Sequence, residues 1–124
     1  PLPGVKLDGK LTLGENVADN GGLRIAYEAL MSMLAPPGKK SARTALMRAK
    51  LEGFTPPQRF FISWAQVWCT NISEAQARLR ANVDPHSPSR ERVNGVVGNM
   101  PEFKEAFGCT QGQPMVREPA CRVW

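Results

Sequence analysis

The apolar residues Leu23, Ala26, Tyr27, Leu30, Met31 and Leu34 recur in alternating steps of three and one, the spacing of a single α-helical face. Followed backwards in steps of four, that face passes through Asp19 and then Glu15, so two carboxylates sit one turn apart on the side that points into the protein. A carboxylate taken out of water without a partner either costs several kcal/mol or neutralises itself through its pKa. Whatever packs on this helix must therefore bring a cation to its first turns. The pair Gly21-Gly22 lies on the same helix. Each glycine inside a helix costs roughly 1 kcal/mol relative to alanine, and two in succession predict close approach of another backbone. A local reading of the acids competes with the buried one. Thr12-Leu13-Gly14-Glu15 fits the capping-box spacing, in which the glutamate reaches back to the N-cap backbone. Asp19 then reads as a surface acid favoured by the helix macrodipole.

The other strong signals are also helical. The first helix runs from about Gly14 to Leu34 after an irregular or short extended lead-in, and Pro36-Pro37-Gly38 stops it. Lys39 to Glu52 reads as a short, exposed basic helix or a loop carrying one turn. Thr55 is placed as an N-cap with Pro56 at the first helical position. The helix they open runs to about Cys69, and Phe60, Phe61, Trp64, Ala65, Val67 and Trp68 give it an apolar face wide enough to predict burial on two sides. Ser73 caps a short helix through Ala81, with Glu74 and Arg78 as an i,i+4 pair. Asn82 to Pro88 is a loop, Pro101 to Phe107 a last helix, and Gly108 to Trp124 irregular. The fold class is mainly α, with no internal repeat or domain boundary.

Composition excludes several classes. No apolar run among the 124 residues approaches a membrane span. Eleven glycines and eleven prolines are too few for a disordered chain. The formal charge of +5 is mild, and usually reflects a solvated surface. No signal peptide is visible, and the start at Pro1 rather than Met reads as a cut. Cys69, Cys109 and Cys121 are widely spaced with no Cys-x-x-Cys pair, which speaks against a zinc ribbon or redox motif. An odd number leaves at least one without an internal partner. Asn71-Ile72-Ser73 forms a glycosylation sequon, relevant only to a eukaryotic secretory protein.

Glu15-Asn16-Val17-Ala18-Asp19, continued by Asn20-Gly21-Gly22-Leu23, resembles the Glu-Asn-x-Ala-Asp signature of the neprilysin family of zinc metallopeptidases. The resemblance implies that Glu15 is the third zinc ligand and that Asp19 hydrogen-bonds a zinc-bound histidine, fixing its tautomer and orientation. His86-Ser87-Pro88 with Arg92, Val93 and Gly95 resembles the family's C-terminal active-site loop. There His86 would hydrogen-bond the oxyanion of the tetrahedral intermediate, and Arg92 would bind a carbonyl of the substrate peptide. Glu91 stands where the family usually has an aromatic residue. It either pairs with Arg92 or faces solvent, and Arg90 before it competes for the binding role. The run Phe60 to Cys69 resembles a core helix of the family. Asn99-Met100-Pro101-Glu102-Phe103, Ala106-Phe107-Gly108-Cys109 and the terminal Cys121-Arg122-Val123-Trp124 carry the likeness over nearly the whole chain.

One histidine cannot complete a zinc site of two histidines, a glutamate and a water, and the chain has no His-Glu-x-x-His. The expectation is therefore that residues 1–124 are the C-terminal helical segment of a thermolysin-like (zincin) catalytic domain. Such a chain is inactive alone and completed by the upstream part of the same polypeptide, with peptides as substrates, one zinc ion as cofactor, and neither nucleic acid nor membrane as partners. All three cysteines match family cysteines that pair upstream, which implies an oxidising, extracytoplasmic compartment. The alternative is a non-catalytic helical binding module: a pseudo-peptidase scaffold, or a nucleic-acid binder using Lys39, Lys40, Arg43, Arg48 and Lys50. Glu52 offsets that basic cluster, and no exposed aromatics are interleaved with it.

Overall fold

The computed structural model describes residues 4–34 and 40–123, with the side chains at 40–43 excluded. Six helices follow one another: α1 (Leu13–Leu34), α2 (Lys40–Arg48), α3 (Pro56–Val67), α4 (Glu74–Val83), α5 (Ser89–Val97) and α6 (Pro101–Phe107). Among the described residues the only strand-like pairing is a lone antiparallel bridge between Leu51 and Phe54. The chain is thus mainly α, as the periodicity required.

On α1 the face read from the sequence is turned inward. Asp19, Leu23 and Met31 are buried, and Tyr27, Leu30 and Leu34 half-buried, although Ala26 is exposed. The helix does not begin with a capping box. Thr12 Oγ1 donates to Asp8 O at 3.1 Å and accepts from Asn16 Nδ2 at 3.2 Å, while the Asp8 carboxylate caps the preceding turn by accepting from Lys10 N at 2.8 Å. The double-glycine expectation fails at Gly22, which is exposed and whose Cβ would meet nothing within 4 Å. Gly21 is buried. A close backbone approach is found at Gly98, where a Cβ would lie 3.0 Å from Asn94 O and 3.6 Å from Met115 O. The Pro36-Pro37-Gly38 stop and Lys39 lie outside the described residues. The basic stretch after them forms a full helix, α2, rather than a single turn.

Thr55 caps α3 as anticipated. Its hydroxyl accepts from Gln58 N at 3.5 Å, and Gln58 Oε1 accepts from Thr55 N at 3.0 Å, with Pro56 at the first helical position. The helix stops at Val67, with Trp68 as C-cap. Pro57 and Phe61 are buried, and α2, α5 and α6 each pack against the helix, whereas Val67 at its end keeps 71% of its surface exposed. Phe61 belongs to the core. Leu23, Phe61, Val96, Val97 and Met100 are buried together, with Tyr27, Phe60, Trp64, Phe103, Ala106 and Met115 packed around them. Phe61 stacks on Tyr27 at 5.4 Å and meets Phe103 edge-on at 5.3 Å, geometries that add to the area buried.

Ser73 caps α4 by accepting from Gln76 N at 3.2 Å, and Arg78 pairs with Glu74 at 2.7 Å. The helix runs two residues past the expected Ala81, to Val83. Helix α5 has no counterpart in the periodicity reading. Val93, Asn94, Gly95, Val96 and Val97 are poor helix formers, and Pro88 at the N-cap makes no side-chain cap bond. Tertiary packing overrides propensity here: Val96 and Val97 are 3% and 2% exposed, on a helix that lies against α1 and α3. Arg92 therefore stands on a helix rather than a loop. Helix α6 ends at Gly108 in the left-handed region (φ +63°). The irregular tail is tied back by Arg117 N to Gly98 O and Cys121 N to Asn99 Oδ1, both at 3.0 Å.

Candidate functional site

The first two turns of α1 carry Glu15, Asn16 and Asp19 on adjoining positions. The 84–88 loop between α4 and α5 carries Asp84, His86 and Ser87, and the first turn of α5 carries Arg92. Ser87 Oγ, buried, donates to Asn16 Oδ1 at 2.8 Å and stitches the loop to α1 across 71 residues of sequence. The cation that the acidic stripe demanded is Arg92. Its Nε donates to Asp19 Oδ2 at 2.5 Å and its Nη2 to Asp19 Oδ1 at 2.6 Å, a two-pronged pairing of the kind a rigid guanidinium favours. Nη2 also lies 3.4 Å from Glu15 Oε2. Arg92 is 8% and Asp19 9% exposed, and the bonds to Asp19 hold the Arg92 pKa above its ordinary value.

His86 completes the group. Its Nε2 lies 3.3 Å from Glu15 Oε2, and its Nδ1 lies 2.7 Å from Asp84 Oδ1. The same Asp84 oxygen accepts from the His86 backbone N–H at 2.9 Å. These bonds from the His86 backbone and ring hold the Asp84 carboxyl below its usual range. With Nδ1 anchored on Asp84, the ring is fixed with Nε2 toward Glu15. A cleft of about 1,020 Å³ opens beside this cluster, lined by Trp68, Ile72, Ala81, Asp84, His86 and Arg92 among others. Trp68 lies over the Arg92 guanidinium, with Cζ 4.0 Å from the ring centroid.

All four residues singled out in the sequence, Glu15, Asp19, His86 and Arg92, thus converge. Arg92 and not Arg90 joins the cluster. Arg90 is exposed and makes no ion pair among the described residues, and the same holds for the half-buried Glu91, which does not compete for Arg92. Sequence reasoning missed Asp84, Ser87, Asn16 and Trp68. The Asp-Pro-His spacing held the one usable signal, since a carboxylate two residues before a histidine can reach its Nδ1. The residue expected from the sequence to hold a metal is Glu15. Its carboxylate is 40% exposed and of a type that ligates zinc, but among the described residues no three His, Cys, Asp or Glu side chains group to hold an ion. Cys69 and Cys121 are exposed, Cys109 is half-buried, and none is paired with another.

A mainly helical chain that gathers a half-exposed glutamate, an anchored histidine and a buried Arg–Asp pair beside one cleft has the character of the C-terminal helical part of a neprilysin-like metallopeptidase. Comparison with known proteins makes this specific. The sequence model of peptidase family M13 matches residues 2–123, and the chain belongs to that family of zinc metallopeptidases. It is 44% identical over 120 residues to Neprilysin-1 of Caenorhabditis elegans and 42% identical over 121 residues to endothelin-converting enzyme 1 of Bos taurus. Those matches cover 97% and 98% of this chain but only 15% of each relative. A solved zinc metalloprotease of Mycobacterium tuberculosis, in complex with an inhibitor, superposes with a TM-score of 0.84 at 36% identity. That match covers 99% of this chain and 18% of the other.

Proposed function

We propose that residues 1–124 are the C-terminal segment of the catalytic domain of a zinc endopeptidase that hydrolyses peptide bonds in oligopeptides, and that they contribute one metal ligand and the groups that bind the reacting peptide. The convergence of Glu15, Asp19, His86 and Arg92 in one contact cluster, with His86 and Arg92 lining the cleft beside it, carries this reading. Glu15 would hold zinc together with two imidazoles from a His-Glu-x-x-His segment outside this chain. When bound, the metal supplies Lewis acidity and a water acidic enough to ionise near neutral pH. Asp19 keeps lone pairs beyond its bonds to Arg92, and these suit the N–H of a liganding imidazole. With a proton on each ring nitrogen, His86 would donate from Nε2 to charge that develops on a carbonyl oxygen while Asp84 accepts from Nδ1. Arg92 offers its remaining N–H groups to a substrate carbonyl.

The surface supports a larger assembly. The chain exposes 8518 Å², whereas a folded monomer of 13.6 kDa is expected to expose roughly 6,600 Å². The excess, about 1,900 Å², is of the size one partner buries in a permanent interface. Leu13, Ile25, Met33, Val67 and Val83 are each more than half exposed. The upstream part of the same polypeptide is the partner this reading assigns. The three unpaired cysteines suit pairing with that part in an extracytoplasmic compartment. Among the described residues no helix is long and apolar enough to cross a membrane, and the reading includes neither nucleic acid nor membrane contact by this segment. On this account the chain alone hydrolyses no peptide. The test is zinc uptake, with and without the His-Glu-x-x-His segment supplied. Stoichiometric zinc is expected only in the assembled protein, and Glu15→Gln is expected to weaken it at least about 100-fold. Tight zinc retained by Glu15→Ala would refute the assignment.

A further inference from the structure

We propose that Trp68 is a positioning residue for Arg92, its indole face setting the tilt of the guanidinium so that the free Nη1 edge meets the substrate. The inference rests on the reading of Arg92 as a substrate-binding group. Three elements fix that guanidinium. Asp19 on α1 takes Nε and Nη2 at 2.5 and 2.6 Å, which locks rotation within the guanidinium plane. Trp68, at the end of α3, covers one face with its ring centroid 4.0 Å from Cζ, which locks tilt out of the plane. Glu15 lies 3.4 Å from Nη2. Nη1 has no hydrogen-bond partner among the described residues, and its two N–H groups are the donors left for a ligand. A guanidinium over an indole is attractive, more so when the pair is partly desolvated.

The Trp68 ring is itself held for this contact. It meets Trp64 edge-on, with centroids 5.5 Å apart and planes at 72°, and it sits at a C-cap where Trp68 N–H donates to Ala65 O and Cys69 N–H to Gln66 O. Its Nε1–H is buried with no acceptor among the described residues. A buried donor left unpaired is a cost that native structures rarely keep. What offsets it here are contacts made by the ring's faces and edges, with Arg92 on one face. Trp68 also lines the cleft, so the experiment has to separate a direct contact with substrate from an action through Arg92.

A double-mutant cycle in the zinc-loaded peptidase containing this segment makes that separation, with kcat and KM measured on a peptide that the wild type cleaves. Trp68→Leu is expected to lower kcat/KM about tenfold. In the Arg92→Met background the same change is expected to cost less than about twofold, because no guanidinium remains to be held. Trp68→Phe, which keeps an aromatic face, is expected to stay within about threefold of wild type. Equal losses from Trp68→Leu in both backgrounds would mean direct substrate contact and overturn the proposal. Should Arg92→Met fail to fold, the ordering of Phe and Leu decides, and equal loss in the two overturns it. A wild-type protein that cleaves peptides while showing no coupling leaves the peptidase reading intact and removes this role. One that cleaves none removes both.

Discussion

Replacing Asp19 with alanine removes both acceptors from a guanidinium that is only 8% exposed. Two charge-assisted bonds, at 2.5 and 2.6 Å, are lost together, and Arg92 is left as a buried charge. Breaking a buried pair from one side typically costs about 3–5 kcal/mol. Here Glu15 stays 3.4 Å from Nη2 but is 40% exposed, so solvent screening limits its compensation to less than about 1 kcal/mol. The Trp68 face remains. The expected destabilisation is therefore about 3 kcal/mol, at the low end of the range. The double variant Asp19→Ala, Arg92→Met removes both charges and fills the space with an unbranched apolar side chain. Its expected cost is about 1–2 kcal/mol, less than that of the single change, because no charge is left unpaired. Urea unfolding of the reduced chain, followed by far-UV circular dichroism, reads both as shifts in midpoint at constant slope. An Asp19→Ala protein within about 1 kcal/mol of wild type, or a double variant weaker than the single one, would refute the view that this pair is a buried, mutually dependent unit.

Two further changes test the shell around it. Asp84→Asn should lower kcat/KM of the assembled peptidase about tenfold or more, since His86 loses its ionised anchor while keeping its place in the loop. The pH dependence has a definite sign. The Asp84 pKa is depressed in the folded chain, so its contribution to stability is present above the ordinary carboxylate value of about 3.9 and is lost as pH falls through the folded value. The difference in unfolding midpoint between wild type and Asp84→Asn should accordingly close as pH falls below about 4. Asn99→Ala should cost about 1–3 kcal/mol, because one side chain bonds Asn20 Oδ1, Gly95 O and Cys121 N at 3.0 Å each. Faster hydrogen exchange at the Cys121 amide would report release of the tail, and unchanged exchange would rule out that tether.

The sequence was most readable where a local rule coincided with packing. Thr55-Pro56 before α3 and Ser73 before α4 satisfy backbone groups through neighbours in sequence, so their chemistry shows in the sequence itself. Helix α5 was invisible for the opposite reason. Its Val93, Val96 and Val97 favour strands locally, and only burial against α1 and α3 makes them helical. The breadth of the aromatic face on α3 misled, because periodicity reports which side chains are apolar and not how many neighbours will cover them. Val67 is apolar yet stays uncovered within this chain. At the site, Glu15, Asp19, His86 and Arg92 were legible as residues, while Asp84 and Trp68 act through geometry that the fold creates. Trp68 meets Arg92 across 24 positions only because α3 and α5 pack side by side.

The acidic stripe on α1 joins the structural and the functional readings. A capping role would have turned the Glu15 carboxylate back to the Thr12 backbone N–H, but that N–H donates to Asp8 O at 3.1 Å, and Glu15 turns toward Arg92 and His86. The positive charge that makes the buried Asp19 tolerable is thus the same one assigned to a substrate carbonyl. Asp19 needs Arg92 for burial, and Arg92 needs Asp19 to hold its plane, so neither can be lost without exposing the other's charge to an apolar surrounding. Because that pairing lies entirely within one chain, α1 can present Glu15 in a fixed attitude before any metal arrives. With Glu15 as the proposed ligand, the orientation energy of that ligand would be spent in folding rather than in binding the ion.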